Sequence, residues 1–309
     1  MGASESSSET WPLRSERSTR SISTSVRRPS GDWSANRSPG SPTRSDMSRL
    51  LVLGAHPDDA EYHAGGLTSI YRSLGRTVRW ISATDGSAGH HLLHGPELVA
   101  RRRREAAASA ARASVEHQVW DFPDAHLVAD LDLRQRVIRE IRTFRPDLVL
   151  THRPWDYHPD HRALGQAVMD ACYLVTVPGL MRDVPPLERD PVVAYLADPF
   201  RKPIEFRPDR ILDVTDRIDA IVSLLAEHES QFFEFLPVSF GSPEPLPSDP
   251  NERPAWLKRW FLARTAWRAE RWSPGGGERL IEAFELAEHA AGADPALLDH
   301  LFPGSRKPG

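Results

Sequence analysis

The feature that most constrains this chain is an alternation. Between Leu50 and Leu174, short apolar runs take turns with longer amphipathic segments. Leu50-Leu51-Val52-Leu53-Gly54 reads as a buried strand, and Glu61 to Leu74 as a helix closed by Gly75. Thr77 to Ala83 is a second strand. Pro96 to Ala113 is a helix with proline in its first turn. Gln118 to Asp121 is a third strand, Leu131 to Phe144 a helix, Asp147 to Thr151 a fourth strand and Asp160 to Leu174 a further helix. Strands and helices in this order predict an α/β fold, a Rossmann-like, mostly parallel sheet with helices on both faces.

That fold class gives the polar residues a meaning. In open α/β sheets ligands bind outside the carboxyl ends of the strands. The loops after the four strands carry His56, Asp58 and Asp59, then Asp85, then Asp121 and Asp124, then His152 through His161. All of these fall on one edge of the sheet.

Beyond Leu174 the pattern thins. Strands are predicted at Val192 to Leu196 and Ile211 to Val214. Helices are predicted at Asp216 to Gln231, at Pro254 to Trp272 and, after Pro274-Gly275-Gly276-Gly277, at Glu278 to His289. The proline-dense stretch from Pro178 to Pro208 and the loop from Phe240 to Pro254 are expected to wall the pocket. Residues 1-46 are Ser- and Arg-rich, nearly without aliphatics, and are expected to be disordered. Residues 47-309 then form a single domain, with 178-209 and 237-254 flanking the site and a helical C-terminal region.

Composition narrows the function. A net charge of -4 does not favour nucleic acid, and no apolar run approaches the roughly 18 residues of a membrane span. The one cysteine, Cys172, rules out an internal disulfide and a thiolate-rich metal site, which suits a reducing cytoplasm. Any metal must rest on histidine and carboxylate. His56 and Asp59 from one loop and His161 from another make the three-ligand set typical of catalytic zinc. Asp58, beside a ligand but directed elsewhere, is placed to act as general base. His158, one turn before His161, is placed to donate to an oxyanion, with Asp160 steering it. Gly65-Gly66 lacks a phosphate-loop pattern and is read as close helix packing.

Ala55-His56-Pro57-Asp58-Asp59 with Gly65-Gly66, joined to His158-Pro159-Asp160-His161, resembles the PIG-L/LmbE-like zinc deacetylases. The resemblance continues through Thr84-Asp85-Gly86, Arg102, Glu105, Asp213-Val214-Thr215, His228-Glu229-Ser230-Gln231 and Glu282-Ala283-Phe284. It implies an LmbE-like three-layer fold and removal of acetyl groups from N-acetylglucosaminyl compounds or related amides. It implies Zn2+, with Fe2+ as an alternative ion, on His56, Asp59 and His161. It also implies Asp58 as general base, His158 at the tetrahedral intermediate, and Arg102 and Asp124 on the sugar. One departure is Ala60, where many members carry Glu; here Glu61 comes one residue later. The expected partner is a small N-acetylated sugar or glycoconjugate, and a homo-oligomer is allowed. The rival functions are an amidase of a different conjugate and a non-catalytic carbohydrate- or partner-binding module.

Three further groups have bland readings. Trp256, Trp260 and Trp267 share a helical face and are assigned to core packing rather than to a stacking platform. His90, His91 and His94 are assigned to an exposed loop. The run Arg101 to Arg104 reads as a solvated face from which Arg102 alone turns inward.

Overall fold

The computed structural model describes residues 48–273 and 278–308. The expected tail 1-46 and the Pro274-to-Gly277 turn lie outside them. The chain forms a seven-stranded sheet in the order β3-β2-β1-β4-β5-β7-β6. The strands are β1 (Arg49–Gly54), β2 (Thr77–Thr84), β3 (Glu116–Phe122), β4 (Leu148–Thr151), β5 (Val192–Leu196), β6 (Arg210–Asp213) and β7 (Ile281–Leu286). Neighbours from β3 through β5 pair in parallel, and β7 runs antiparallel to both β5 and β6.

Alternation along β1 shows why both faces are covered. Leu50 and Val52 enter one apolar cluster, and Leu51 and Leu53 enter the other. The first cluster takes in α1 (Asp59–Ser73), α5 (Ile218–Leu225), α7 (Arg253–Trp272) and α8 (Pro295–Leu301). The second takes in α3 (Leu131–Phe144) and α4 (Pro159–Ala171). The last two helices are α2 (Gly95–Ala113) and α6 (Leu236–Phe240). Local signals support the boundaries. Asp130 caps α3 by accepting from the Leu133 amide at 3.0 Å, and Arg145 ends that helix in the left-handed region. At Gly66 an added Cβ would lie 2.5 Å from Val214, so α1 approaches its neighbour closely, as the packing reading of that glycine requires.

Strand order reverses between β1 and β4, which puts the crevice of the fold between the two loops that carry the histidine motifs.

Two expectations fail beyond β5. The helix expected at Glu278 to His289 is β7. Its Glu, Leu and Ala favour a helix locally, but Leu280, Ile281, Ala283 and Phe284 are all buried between β5 and β6, and that pairing decides. The C-terminal region is therefore helix, strand, helix. The helix expected at Asp216 to Gln231 ends as α5 at Leu225, and a π-helical turn follows at Ser230–Phe235. Single π turns are frequent at functional sites, and this one borders the cavity described below.

Candidate metal centre and active site

The loop after β1 delivers the first half of the site. His56 follows Ala55, and the Asp59 carboxylate folds back to accept the His56 amide at 2.7 Å. Between them Asp58 sits at φ 153, an uncommon backbone conformation for a residue with a side chain. The loop after β4 delivers the second half. His158 caps α4, its Nδ1 accepting from the Asp160 amide at 3.2 Å, and His161 follows one turn later. An added Cβ at Gly165 would lie 2.4 Å from the His152 carbonyl, so α4 seats directly on that loop.

The three residues expected to hold a metal converge. His161 Nε2 is 3.2 Å from His56 Nδ1 and 3.6 Å from Asp59 Oδ2, and His56 Nδ1 is 3.4 Å from Asp59 Oδ2. For ligand bonds of about 2.0–2.1 Å, the edges of a tetrahedron are about 3.3–3.4 Å. Two imidazoles and a carboxylate thus outline one face of a zinc-sized coordination polyhedron.

Each imidazole is held from behind, as metal-binding histidines usually are. His56 Nε2 lies 3.3 Å from both Asp124 Oδ1 and Asp160 Oδ2. Asp156 Oδ1 lies 3.1 Å from His161 Nδ1. Burial disfavours a charged His56, yet Asp124, Asp160 and Asp59 outweigh it and hold its pKa well above the usual value. Asp59 is also buried, and His161, His152 and His56 hold its carboxyl well below the usual range. The site attracts positive charge.

Asp58 stands beside this cluster. Arg102, buried in α2, donates through Nη2 to Asp58 Oδ2 at 3.2 Å and to the Pro57 carbonyl at 2.8 Å. Burial pushes the Asp58 carboxyl up to about 6; Arg102 pulls it down and Asp59 pushes it up. His158 has the opposite environment. Burial and the neighbouring His56 and His161 hold it down at about 4, so it is neutral at pH 7. Because its Nδ1 accepts a backbone amide, the proton of the neutral ring sits on Nε2.

Asp160 steers His158 through its backbone amide, and its carboxylate is turned mainly to His56. It lies 4.0 Å from His158 Nδ1, while its oxygens accept the Ala125 and Leu127 amides at 2.7 and 3.0 Å and face His56. Asp124 likewise faces His56 and accepts the Ala88 amide at 3.2 Å. Both Arg102 and Asp124 border the cavity, but each is already engaged with the loop from His56 to Asp59.

The cavity above the cluster has a volume of about 660 Å3. One wall is Ala197 to Phe200. Another is the π turn with α6, and a third is α7 through Trp260, Arg264, Trp267 and Arg268. From the loop expected between Phe240 and Pro254, only Phe240 reaches the cavity. Trp256 and Trp260 are buried in the core as expected, yet Trp260 and Trp267 also face the cavity. His90 is not exposed as expected: it is buried, 3.0 Å from Glu234, whereas His91 and His94 are exposed.

Sequence reasoning missed several contributors. His152 stacks on His161 at 3.7 Å, with its Nε2 3.0 Å from Asp59 Oδ2; its place directly after β4 was a usable signal. Asp156 gave only a weak signal, two residues before His158. Glu61, the departure noted above, is fully buried and far from idle. It accepts from Ser109 Oγ at 2.7 Å and lies 2.9 Å from His228 Nε2, tying α1 to α2 and to the segment after α5.

A doubly wound sheet whose switch point gathers His56, Asp59 and His161 beneath an open cavity defines a class of α/β proteins able to hold one cation there. The PIG-L family, described as GlcNAc-PI de-N-acetylase, matches residues 51–172. Diacetylchitobiose deacetylase of Thermococcus kodakarensis is 31% identical over 199 residues, which cover 61% of this chain and 72% of that protein. The chain belongs to the PIG-L family. The 4-oxalmesaconate hydratase of Pseudomonas putida is also similar, at 26% identity over 58% of this chain and 73% of its own. Among solved structures, N,N'-diacetylchitobiose deacetylase from Pyrococcus horikoshii shares the fold, with a TM-score of 0.63 and 24% identity over 79% of this chain and 85% of that one.

Proposed function

We propose that this protein is a zinc-dependent hydrolase that removes the acetyl group from an N-acetylated amino sugar. The observation that carries the proposal is the trio of His56 Nδ1, Asp59 Oδ2 and His161 Nε2, spaced 3.2 to 3.6 Å apart on the cavity floor. Asp58 and His158 line the same cavity. Similarity to a diacetylchitobiose deacetylase supports the choice of an acetamido sugar as substrate.

His56, Asp59 and His161 would hold the zinc, which when bound would supply Lewis acidity to the amide carbonyl and to the attacking water. Asp58 accepts the proton of that water as its oxygen bonds to the carbonyl carbon. His158 donates from Nε2 to the oxygen that becomes negative, a preorganised bond. Asp58 then passes its proton to the nitrogen as the carbon–nitrogen bond breaks, releasing acetate and a free amine. Asp160 and Asp124 hold His56, Asp156 holds His161, and Arg102 fixes Asp58 in its buried position.

The test is release of acetate and free amine from a panel of N-acetylated mono- and disaccharides by zinc-loaded protein. Turnover that requires the metal is expected. Hydration of an unsaturated dicarboxylic acid with no amine released from any sugar would overturn the reading.

A further inference from the structure

The end of the cavity formed by α7 is chemically unlike the acidic floor. Arg268 lies on the cavity wall with only 1% of its surface exposed. Its Nη2 lies 3.2 Å from His63 Nδ1, while Nε and Nη1 are buried and have no hydrogen-bond partner. Its guanidinium sits 5.6 Å from the ring centres of both Tyr62 and Trp267. No carboxylate among the described residues pairs with it. Glu282 acts on it electrostatically, but Glu282 accepts the Gly66 and Leu67 amides at 2.6 and 2.8 Å. Burial also pushes the Glu282 carboxyl up to about 7, which weakens it further as a counter-charge. His63 is held well below its usual pKa by burial and by Arg268 itself, so it is a neutral acceptor. Arg264, one turn earlier, is exposed and adds a second positive charge at the rim, over the Phe240 ring at 4.8 Å. A buried guanidinium with unused donors and no directly paired carboxylate is costly unless something fills the gap.

We propose that Arg268 forms an anion subsite of this cavity, so that the preferred substrate is an N-acetylated amino sugar whose aglycone carries an oxyanion, a carboxylate or a phosphate monoester. The proposal rests on the deacetylase reading for the sugar half of the substrate. The anionic group enters the aromatic end between Tyr62 and Trp267 and completes the donor set of Arg268. The acetamido group meanwhile lies over the His56, Asp59 and His161 floor. Charge places the anionic end of the ligand: the α7 wall carries Arg268 and Arg264 and attracts it. A charge-assisted bond of this kind corresponds to an affinity gain on the order of 10- to 100-fold.

The experiment measures binding separately from turnover. Zinc-loaded Asp58→Asn protein is titrated with a series of ω-carboxyalkyl glycosides of N-acetylglucosamine, bearing one to four methylenes, and with their methyl esters. A matching phosphate series distinguishes the two oxyanions. The best acid is expected to bind on the order of 10-fold or more tighter than its ester, with the gap shrinking as salt rises. Arg268→Gln added to Asp58→Asn is expected to bring the gap within about twofold, and Arg268→Lys to retain part of it. If Arg268→Gln does not fold, the salt dependence and the Arg268→Lys protein carry the test. Equal binding of acid and ester throughout both series, or a gap that survives Arg268→Gln, overturns the subsite. Acid-selective binding without acetate release by the Asp58-intact protein would instead overturn the deacetylase reading and leave the subsite standing.

Discussion

Replacing Glu61 by Gln probes the support beneath the metal loop rather than the loop itself. Glu61 and His228 are both fully buried, and their side chains lie 2.9 Å apart. Burial alone would raise the Glu61 carboxyl, but His228, then His117 and Ser109, outweigh it and bring it down to about 2. Against an unfolded value near 4.5, that shift is about 2.5 pH units, or about 3 kcal/mol of stability. Because the folded pKa is depressed, the contribution is fully present above about pH 4.5 and fades as pH falls towards 2. His228 is raised by the same partner despite its burial, so its shift describes the same interaction and is not added. The assay is urea unfolding of metal-free wild type and Glu61→Gln between pH 3 and 7.5, with metal removed so that acid release of zinc does not enter. Wild type is expected to exceed the variant by about 2–4 kcal/mol at pH 7, with the difference shrinking below about pH 4.5. A difference under about 0.5 kcal/mol at pH 7, or one that stays constant down to pH 3, would refute the reasoning.

Three further substitutions separate chemistry from scaffold. Asp58→Asn should retain zinc while acetate release falls about 100-fold or more, and His158→Ala should retain zinc and lower kcat by about 100- to 1,000-fold, both read by metal analysis beside kinetics. Arg142→Met should lower the unfolding midpoint and raise proteolysis between Leu174 and Val184. The buried guanidinium donates to the carbonyls of Leu174, Val175, Val177, Leu180, Met181 and Val184, all of which lose a partner. Unchanged protease sensitivity there would show that the segment holds its shape without Arg142.

Much of this architecture can be read from residue order, and the reason is physical. Of the first five strands, β1, β4 and β5 are short, apolar and buried, and the parallel sheet that the five form places every following loop on one edge. His56, Asp59 and His161 were therefore legible as neighbours despite about a hundred residues between them. What stayed hidden depends on tertiary context. β7 is made of helix-favouring residues forced into a strand by two antiparallel partners. The Asp160 carboxylate turns to His56, leaving only the backbone amide for His158, because the Ala125 and Leu127 amides hold its oxygens there. Arg268 looks like an ordinary member of a basic helix until its surroundings show that two of its buried guanidinium nitrogens have no partner.

Zinc content across ligand variants tests the central claim most directly. Purified wild type, His161→Ala and His152→Ala would be loaded with zinc, desalted and measured by mass spectrometry of the metal. About one zinc per chain is expected in wild type, with the metal lost from His161→Ala, and with His152→Ala binding it more weakly but still at one site. Full occupancy in His161→Ala with complete loss in His152→Ala would place the ion on the other side of Asp59 and contradict the account.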